Sequence, residues 1–502
     1  MNMRISKSKF VAGCQCPKRL WLQVHQPELA AEPGAASEAI IEQGQEVGRL
    51  ARQLCPGGVE VSSEEGLDQT IRTTRELVAS RDVPAIYEAT FENGGVLVRV
   101  DVLQRRPDHR WRLIEVKSST DLKEDAFHLE DIGLQYRVLR RSGLDVASAC
   151  LAHINRSYVF AGGDIDVRRF FRIRNLTRRV EKLQHDVAIR LRAFVGILNR
   201  SKAPDIAPGR HCTDPVPCEF FDHCNPPRPN DHVGYLPRIH ASAMEELEEL
   251  GMASIHDIPG DFELSEIQRR AATCVQTGQP WFDIGGLKNA LGTLKYPLFF
   301  MDYETVNPAI PRFAGMKPYD QLLFQWSLHV QREPGAEAEH YEFLAADTHD
   351  PRREFISSLC TALGERGSIV VYSSFESQRL SELAAWLPEY TERIKAIHAR
   401  LFDLLPVVRE HTYHPAYAGS YSIKSVLPAL VPDMTYDGMQ VANGQAAGLA
   451  WKSLVQGSLD SNERDRIRKA LLDYCGQDTL AMLELLKKID ILLIDHARNI
   501  NR

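Results

Sequence analysis

The sequence contains no uninterrupted apolar stretch of the roughly 18 residues that a membrane-spanning helix needs. Its first residues, MNMRISKSKFVAGCQCPKRLWL, lack the apolar core and small-residue cleavage site of a secretory signal. Cysteine is sparse, with 10 among 502 residues, which excludes a disulfide-dense mini-protein. Hydrophobic residues at 44% and charged residues at 25% exclude a disordered or collagen-like chain. We therefore expect a cytoplasmic protein with reduced thiols and no membrane partner.

The length and the loop signals predict several domains. At about 150 residues per domain the chain would hold about three. Proline and glycine cluster at 204–209 and again at 226–237, as they do in loops and linkers. A helical stretch follows, and then a buried strand at 296–306. We predict units at 1–228 and 294–502, joined by a small helical connector at 229–293. The connector faintly resembles a helix–hairpin–helix element, and a plain helical spacer is the alternative.

Two segments of the first half alternate apolar and polar residues, as half-buried strands do. GGVLVRVDVLQRR and WRLIEVKSS flank the turn sequence PDHR, which predicts a hairpin. The first strand carries Asp101, and the second carries Glu115 and Lys117 on one face, because these stand two residues apart. Carboxylates suit a divalent cation, which could activate a water beside a phosphodiester. A surface salt bridge across the strands would give the same pattern. Glu88 is a candidate further metal ligand.

Three of the ten cysteines are grouped in the sequence HCTDPVPCEFFDHC. Cys212, Cys218 and Cys224 have five residues between neighbours. The natural fourth thiol is Cys16, in CQCPKRLWL, and Cys14 is its rival. Four thiolates suit zinc or an iron–sulfur cluster, although zinc sites more often contain closer cysteine pairs. Free thiols are the third reading of the same residues.

The second half carries acidic residues at a strand, a strand-to-helix junction and a helix. YPLFFMDYETV reads as a buried strand, and its two carboxylates share a face. LLDYCGQDTLAM is helical by its period and places a tyrosine and an aspartate one turn apart. Each motif alone is common, so the prediction of a functional site depends on their order in the sequence. The candidates in chain order are Asp302, Glu304, Glu376, Asp403, Tyr474 and Asp478.

A nucleic-acid partner needs a local basic face rather than a basic chain, and this chain has a net charge of −7. Its densest basic run is interrupted only by Glu181 and Asp186. A phosphate-tracking face and a solvated helix face both fit that run. Ser420 and Lys424 could contact phosphate, or could belong to an ordinary capped helix. The basic residues of the run are Arg168, Arg169, Arg172, Arg174, Arg178, Arg179, Lys182, Arg190 and Arg192.

The motif order of the first half resembles the PD-(D/E)XK nucleases of the RecB-like branch. Asp101 matches the first motif, where Val100 stands in place of proline, and Glu115-Val116-Lys117 matches the second. The resemblance implies Mg²⁺ or Mn²⁺ at the two carboxylates. It also implies that Gln135 lies on a helix close to the metal, although the family's Gln-x-x-x-Tyr spacing is not kept.

The cysteine pattern resembles the iron–sulfur staple of CRISPR-associated RecB-like exonucleases and of helicase–nuclease subunits. One N-terminal cysteine is followed by proline and a basic residue, and three cysteines follow the nuclease core. The resemblance implies a 4Fe-4S cluster on Cys16, Cys212, Cys218 and Cys224, with zinc as the alternative. Closing so long a loop should stabilise the domain strongly.

The second half resembles the DEDD exonucleases of the DnaQ-like, RNase H-related fold, in the subtype with tyrosine four residues before the last aspartate. The resemblance implies that four acids hold two Mg²⁺ or Mn²⁺ ions and that Tyr474 orients the attacking water. Glu376 stands where the family has aspartate, and Asp403 is the substitute for this third acid. The carried-over acids are Asp302, Glu304, Glu376 and Asp478.

The whole chain is similar to an uncharacterised bacterial family that fuses these two nuclease types. The expected fold is therefore α/β, with a restriction-endonuclease-like domain followed by an RNase H-like domain. The expected function is that of a metal-dependent nuclease, of the exonuclease kind, acting on single- or double-stranded DNA. The alternatives are a second lobe that acts on RNA, a protein with one active site, and a non-catalytic nucleic-acid-binding protein.

Overall fold

The computed structural model describes residues 4–123, 127–457 and 459–500. The fold is α/β, as predicted, and it divides into two compact units. The first unit comprises residues 1–227 and 308–320, and the second comprises residues 228–307 and 321–502. The division therefore differs from the three-part prediction, because the connector at 229–293 belongs to the second unit.

The first unit is built on a mixed sheet whose main path runs β2-β3-β4-β5-β6-β7, and β1 pairs with β4 beside that path. The predicted hairpin is β4 and β5, which are antiparallel, whereas β5 and β6 are parallel. The alternating valines of β4 are buried, which fixes the face that the strand turns to the core. The strands are β1 Ile5–Ser6, β2 Val59–Glu60, β3 Ala85–Asn93, β4 Val96–Arg105, β5 Trp111–Lys117, β6 Val146–Ile154 and β7 Phe171–Asn175.

Helices cover this sheet, and α5 contributes Ile132 and Leu139 to the same core as Val98 and Leu151. Proline begins α2 at a position where its missing N–H costs nothing. The helices are α1 Lys7–Gln15, α2 Pro17–His25, α3 Ala35–Ala51, α4 Leu67–Ala79, α5 His128–Arg141, α6 Val167–Phe170, α7 Thr177–Lys182, α8 Gln184–Leu198 and α9 Phe221–Cys224.

Residues 308–320 are distant in sequence from the rest of the first unit but pack within it. Ala309 is fully buried in a core cluster with Val47 and Cys150. The Phe160 N–H donates to the Met316 carbonyl at 2.9 Å. The Tyr319 hydroxyl donates to the carbonyl of Ser118, next to the end of β5. No pattern in the sequence predicted that this segment would belong to the first unit while its neighbours in sequence belong to the second.

The second unit is built on a five-stranded sheet in the order β11-β10-β9-β12-β13. β9 pairs antiparallel with β10, whereas β9, β12 and β13 run parallel to one another. A separate two-stranded sheet joins β14 and β8. The strands are β8 Trp281–Phe282, β9 Leu298–Val306, β10 Leu322–Gln331, β11 Glu339–Leu344, β12 Ser368–Val371, β13 Leu401–Asp403 and β14 Thr412–Tyr413.

The predicted connector shares its core with this sheet, since Val233, Leu236 and Leu247 lie in one apolar cluster with Phe300. It is therefore a layer of the second unit rather than a spacer. The helices are α10 Ala241–Glu249, α11 Glu266–Thr277, α12 Ile284–Leu291, α13 Arg352–Leu363, α14 Phe375–Trp386, α15 Thr391–His398, α16 Leu404–His411, α17 Ile423–Leu430, α18 Gly444–Val455 and α19 Ser461–Ile500.

The basic run at 168–192 does not form one helix. Its residues are spread over α6, β7, α7 and α8, because the segment FRIRN pairs with β6 as a strand. All nine basic side chains except Arg190 are exposed. In the part of the chain that the structure describes, no helix is both long and apolar enough to cross a bilayer.

Candidate active sites

The first candidate site lies where β4 and β5 stop pairing. Val102 is paired with Ile114, so Asp101 and Glu115 are the next residues along the two strands. The Val116 N–H donates to the Asp101 carboxylate at 2.7 Å, which fixes that side chain against β5. Glu115 is only 1% exposed. The local spacing of the hairpin thus brings the two predicted carboxylates together.

Lysines bind these carboxylates. The Lys117 Nζ lies 2.7 Å from Glu115 Oε1 and 2.6 Å from Asp131 Oδ2. The Lys7 Nζ, at the start of α1, lies 2.8 Å from Glu115 Oε1 and 4.0 Å from Asp101 Oδ1. Neither Lys7 nor Asp131 was predicted from the sequence. The Lys7 ammonium thus lies within ion-pair distance of both Asp101 and Glu115.

Gln135 completes this pocket from α5. Its Nε2 donates to Glu115 Oε2 at 2.6 Å and to Asp131 Oδ1 at 2.9 Å. The amide is fully buried, and among the described residues its Oε1 has no hydrogen-bond partner. Gln135 therefore lies beside the carboxylates, at the position that the family resemblance implies.

Burial and charge separate the pKa values of the carboxylates. Burial, reinforced by the charge of Glu115, raises the pKa of Asp101 to about 7. Burial also acts to raise the pKa of Glu115, but the ammonium groups of Lys117 and Lys7 outweigh it and hold that pKa below its usual range. Burial raises the pKa of Asp131. A cation bound here would compete with both a proton on Asp101 and the Lys7 ammonium.

Glu88 lies opposite Asp101 on β3, since its neighbours Tyr87 and Ala89 pair with residues on either side of Asp101. Its φ of 57° is in the left-handed region, although β3 continues on both sides of it. The Glu88 carboxylate lies 3.8 Å from the Arg52 guanidinium, its ion-pair partner in the described part of the chain. Burial raises the pKa of Glu88, and Arg52 opposes that shift. Glu88 is thus near the pocket but is held by an arginine rather than by the lysines.

The four predicted cysteines line one small cavity in the first unit. Cys16 lies at the junction of α1 and α2, and the other three come from the loop and short helix at 209–224. The Gly209 N–H lies 3.5 Å from the Cys212 sulfur. Burial raises the pKa of Cys218, and a backbone N–H from Phe220 opposes that shift. Both N–H groups would stabilise thiolates.

Cys14 does not line this cavity and contacts Arg190 instead. None of these cysteines forms a disulfide bond. Four sulfur donors around one cavity fit the ligand set of a 4Fe-4S cluster, and they also fit zinc. Cys16 rather than Cys14 is therefore the fourth member of the group.

The second candidate site lies at the carboxyl ends of β12 and β13, beside the part of the parallel strand β9 that continues past the end of β12. Asp302 and Glu304 are on β9, Glu376 follows β12 in the first turn of α14, and Asp403 ends β13. The long helix α19 packs across β9 and β10 and contributes Tyr474 and Asp478. Ligand sites in open α/β sheets occur at such strand ends.

A cleft of about 630 Å³ opens over these side chains. Its lining includes acidic, basic and aromatic groups. The basic groups are Arg238, Arg409 and Lys424. Ser420 is not among the lining residues, whereas Ser422 is. The residues of the predicted acidic set that line the cleft are Asp302, Glu376, Tyr474 and Asp478.

The acids of the cleft are in direct contact with one another and with tyrosines. The Asp302 and Glu376 carboxyl groups share a hydrogen bond. Tyr436, which was not predicted, donates its hydroxyl to Asp478 Oδ1 at 2.7 Å. The Lys424 Nζ lies 3.3 Å from the Tyr474 hydroxyl, and it also lies over the rings of both tyrosines.

Asp403 has a different structural role from Glu376. Its carboxylate accepts from the Leu405 N–H at 3.0 Å and caps the N-terminus of α16. The carboxyl of Glu376 is 4% exposed and faces Asp302. The structure therefore brings Glu376, rather than the substitute Asp403, into contact with the β9 carboxylates.

Burial raises the pKa of every acid in this cluster. The pKa of Glu304 rises to about 8, with the charge of Asp478 as the second cause. The pKa of Glu376 rises to about 7, with Asp403 as the second cause that raises it. Burial and the charge of Asp478 raise the pKa of Asp302 well above its usual range. So many buried carboxyls in contact require protons or cations to balance their charge.

These shifts predict how the stability of the metal-free protein changes with pH. The folded state holds protons on Glu304 and Glu376 up to about pH 7 to 8, whereas the unfolded state loses them near pH 4. Stability therefore falls as the pH rises through this window. We expect a lower melting temperature at about pH 8.5 than at about pH 6, and we expect Mn²⁺ to restore most of the loss.

Two variants test the origin of that pH dependence. Asp302→Asn removes one of the repelling carboxylates and should flatten the melting temperature against pH. Asp347→Asn removes an exposed carboxylate that pairs with His349 and should leave the slope unchanged. A metal-free protein that becomes more stable between about pH 6 and about pH 8.5 would contradict the assignment.

Comparison with known proteins gives similarity but no activity. Residues 299–422 match the family described as Domain of unknown function (DUF2779). "Uncharacterized protein MG366" of Mycoplasma genitalium is 27% identical over 237 residues, which are 42% of this chain and 36% of that protein. The "Uncharacterized protein MG366 homolog" of Mycoplasma pneumoniae is 26% identical over 219 residues, 39% of this chain and 33% of that protein. The chain thus spans about a third of the length of these relatives.

Proposed function

We propose that this chain is a metal-dependent nuclease with one phosphodiester-hydrolysing site in each unit. The observation that carries the proposal is the convergence of buried carboxylates in each unit, beside Lys117 in the first and Tyr474 in the second. We further propose that the first unit has a PD-(D/E)XK-type fold and that the second has an RNase H-like fold of the DEDD type.

In the first site, Asp101 and Glu115 would hold Mg²⁺ or Mn²⁺. The ion, when bound, supplies a Lewis acid that activates a water and stabilises phosphate charge. Lys117 would position that water, because its partly exposed side chain places the ammonium against Glu115 and Asp131. Gln135 would fix the orientation of the Glu115 carboxylate through its hydrogen bond.

In the second site, Asp302, Glu304, Glu376 and Asp478 would hold two such cations. Tyr474 would orient the attacking water, since it lies one turn before Asp478 on α19 and its hydroxyl lies 3.3 Å from the Lys424 Nζ. The basic side chains Arg238, Arg409 and Lys424 line the same cleft. They would bind the phosphates that flank the scissile bond, because phosphate contacts position a nucleic-acid backbone.

We propose DNA as the substrate, with RNA as the alternative for the second site, since two-metal chemistry does not depend on the sugar. The exposed arginines at 168–192 support a nucleic-acid partner for the first unit. We also propose a 4Fe-4S cluster on the four cysteines, with zinc as the alternative. The cluster would be structural, since it ties Cys16 to residues 212–224.

The test is a degradation assay on the full chain, purified anaerobically. End-labelled single-stranded DNA, double-stranded DNA and RNA are incubated with Mn²⁺, with Mg²⁺ or with a chelator. We expect shortening of at least one substrate only when a cation is present. Absence of cation-dependent degradation of every substrate would favour the rival proposal of a non-catalytic nucleic-acid-binding protein.

Glu115→Gln separates the contribution of the first site. The substitution keeps the shape but removes the charge that both lysines and a cation bind, so we expect cleavage by this site to fall at least about 100-fold. Glu92→Gln is the matched control, because Glu92 lies on the same sheet but pairs with the partly exposed Arg4. Equal rates for Glu115→Gln and wild type on every substrate would remove the first site from the proposal.

A further inference from the structure

A thiol lies among the carboxylates of the second site. The Cys475 sulfur and one carboxylate oxygen each from Asp302 and Glu304 lie within 4.8 Å of one another. The sulfur lies 3.8 Å from Asp302 Oδ2, and Cys475 is fully buried between α19 and β9. No role in the proposed two-metal chemistry requires a sulfur atom at this position.

The surroundings of Glu304 are a second indication of a cation site at the same place. Its side chain is 5% exposed, and within the described residues no hydrogen bond or ion pair to its carboxylate is present. The positive charge of Lys424 favours the ionised form of Glu304. The Lys424 ammonium, however, donates its hydrogen bond to the Ala442 carbonyl at 2.7 Å rather than to Glu304. A buried carboxylate without a partner is costly unless a proton or a cation joins it.

The donor set differs in chemical hardness from an all-oxygen site. Carboxylate oxygens suit Mg²⁺ and Mn²⁺, whereas sulfur favours zinc and other borderline or soft cations. Two oxygens and one sulfur are three of the four ligands that a tetrahedral zinc ion needs, and water or substrate could supply the fourth. Burial keeps the thiol away from solvent competition.

We propose that Asp302, Glu304 and Cys475 together bind a cation of the zinc class, and that this cation competes with the harder cation of the nuclease reaction. On binding, the Cys475 thiol releases its proton to solvent, and a sulfur lone pair forms the bond to the metal. This inference rests on the proposed function only in taking the cleft as a cation site. It adds a regulatory cation that the oxygen ligands alone would not select.

The direct test is titration with Co²⁺, because a thiolate bound to Co²⁺ gives a charge-transfer absorption that carboxylates do not give. Wild type and Cys475→Ser are compared as difference spectra, so the contribution of the four-cysteine cavity cancels. We expect a thiolate band in wild type that the variant lacks, and at least about 10-fold weaker binding of Co²⁺ and Zn²⁺ by the variant in calorimetry. Cys274→Ser is the control, since Cys274 is also buried in this unit but lies in an apolar cluster.

A second readout uses competition. Each variant is assayed with Mn²⁺ and its rate is normalised to its own rate without Zn²⁺. We expect Zn²⁺ to inhibit wild type and Cys274→Ser at concentrations at least about 10-fold lower than Cys475→Ser.

The two proposals fail separately. A wild-type thiolate band that disappears in Cys475→Ser, in a protein that degrades no substrate, would support the zinc-class site and overturn the nuclease. Cation-dependent cleavage with identical cobalt spectra for wild type and Cys475→Ser would support the nuclease and overturn the inference. In that second case the thiol would serve only as a hydrogen-bond donor to Asp302, a role that serine can also fill.

Discussion

Asp302→Asn is expected to abolish cleavage by the second site while leaving the first site active. Asp302 is the central acid of the cleft. It contacts Glu376 and Cys475, and the charge of Asp478 raises its pKa. An amide at this position keeps the volume but removes the charge that would hold a cation. Loss of a group that merely orients a ligand costs about 10- to 100-fold, so loss of the ligand itself should cost at least about 100-fold in rate.

The measurement is a time course on the substrate that wild type degrades, with Glu115→Gln, Asp302→Asn and the double variant side by side. If the two sites act on different substrates or strands, each single variant loses one product series and the double variant loses both. Asp347→Asn is the control for an acid on the surface of the same unit. Full activity of Asp302→Asn would mean that the carboxylates of the cleft do not hold the reactive cation.

The same substitution has a predicted effect on stability that tests folding separately from chemistry. Removing one buried carboxyl from a repelling group should raise the melting temperature of the metal-free protein at about pH 8.5. An inactive variant that is more stable than wild type would therefore have lost activity through its site. An inactive variant that melts at lower temperature in every condition would not support that conclusion.

Local sequence patterns predicted the parts of both sites that lie on single strands or helices. Alternation in β4 and β5 is enough to place Asp101 beside Glu115, because the hairpin register follows from the turn. Spacing by two residues is enough to place Asp302 and Glu304 on one face of β9. Asp131 could have been added from its position one turn before Gln135 on α5.

The groups that the sequence did not reveal come from distant segments. Lys7 reaches Glu115 across 108 residues, and Tyr436 reaches Asp478 across 42 residues. No periodicity connects such pairs, since only tertiary packing of α1 and of the loop before α18 brings them in. The same holds for residues 308–320. They pack in the first unit, whereas the residues before and after them in sequence belong to the second. Local rules therefore predict which residues carry the chemistry better than they predict what surrounds them.

Cys212→Ser is expected to release the cluster or zinc ion that we propose for the four cysteines, and to destabilise the first unit strongly. Cys212 is 7% exposed, and its carbonyl accepts from the Cys218 N–H at 2.8 Å, so it anchors the loop that carries the other two thiols. Gln15, beside Cys16, donates to the His211 and Val216 carbonyls, both at 2.7 Å. Protein contacts thus already hold the two distant segments together around the cavity.

A bound cluster would add a cross-link between these segments. A disulfide that closes a loop of 100 residues lowers the entropy of the unfolded chain and so raises its free energy by about 4.7 kcal/mol. We expect a similar effect from a cluster that links the same two segments. We therefore expect the free energy of unfolding of the first unit to fall by on the order of 5 kcal/mol in Cys212→Ser. Visible absorbance and iron or zinc content, measured on the same anaerobic sample as the denaturant titration, link the loss of stability to the loss of metal.

Cys14→Ser is the matched control, because Cys14 lies two residues from Cys16 but contacts Arg190 outside the cavity. It should keep both the metal and the stability. A brown protein with iron identifies the cluster, whereas a colourless protein with one zinc ion identifies the alternative. Retention of metal content and stability by Cys212→Ser would mean that the four thiols hold no metal, and that protein contacts such as the Gln15 and Arg19 hydrogen bonds are enough to hold the two segments together.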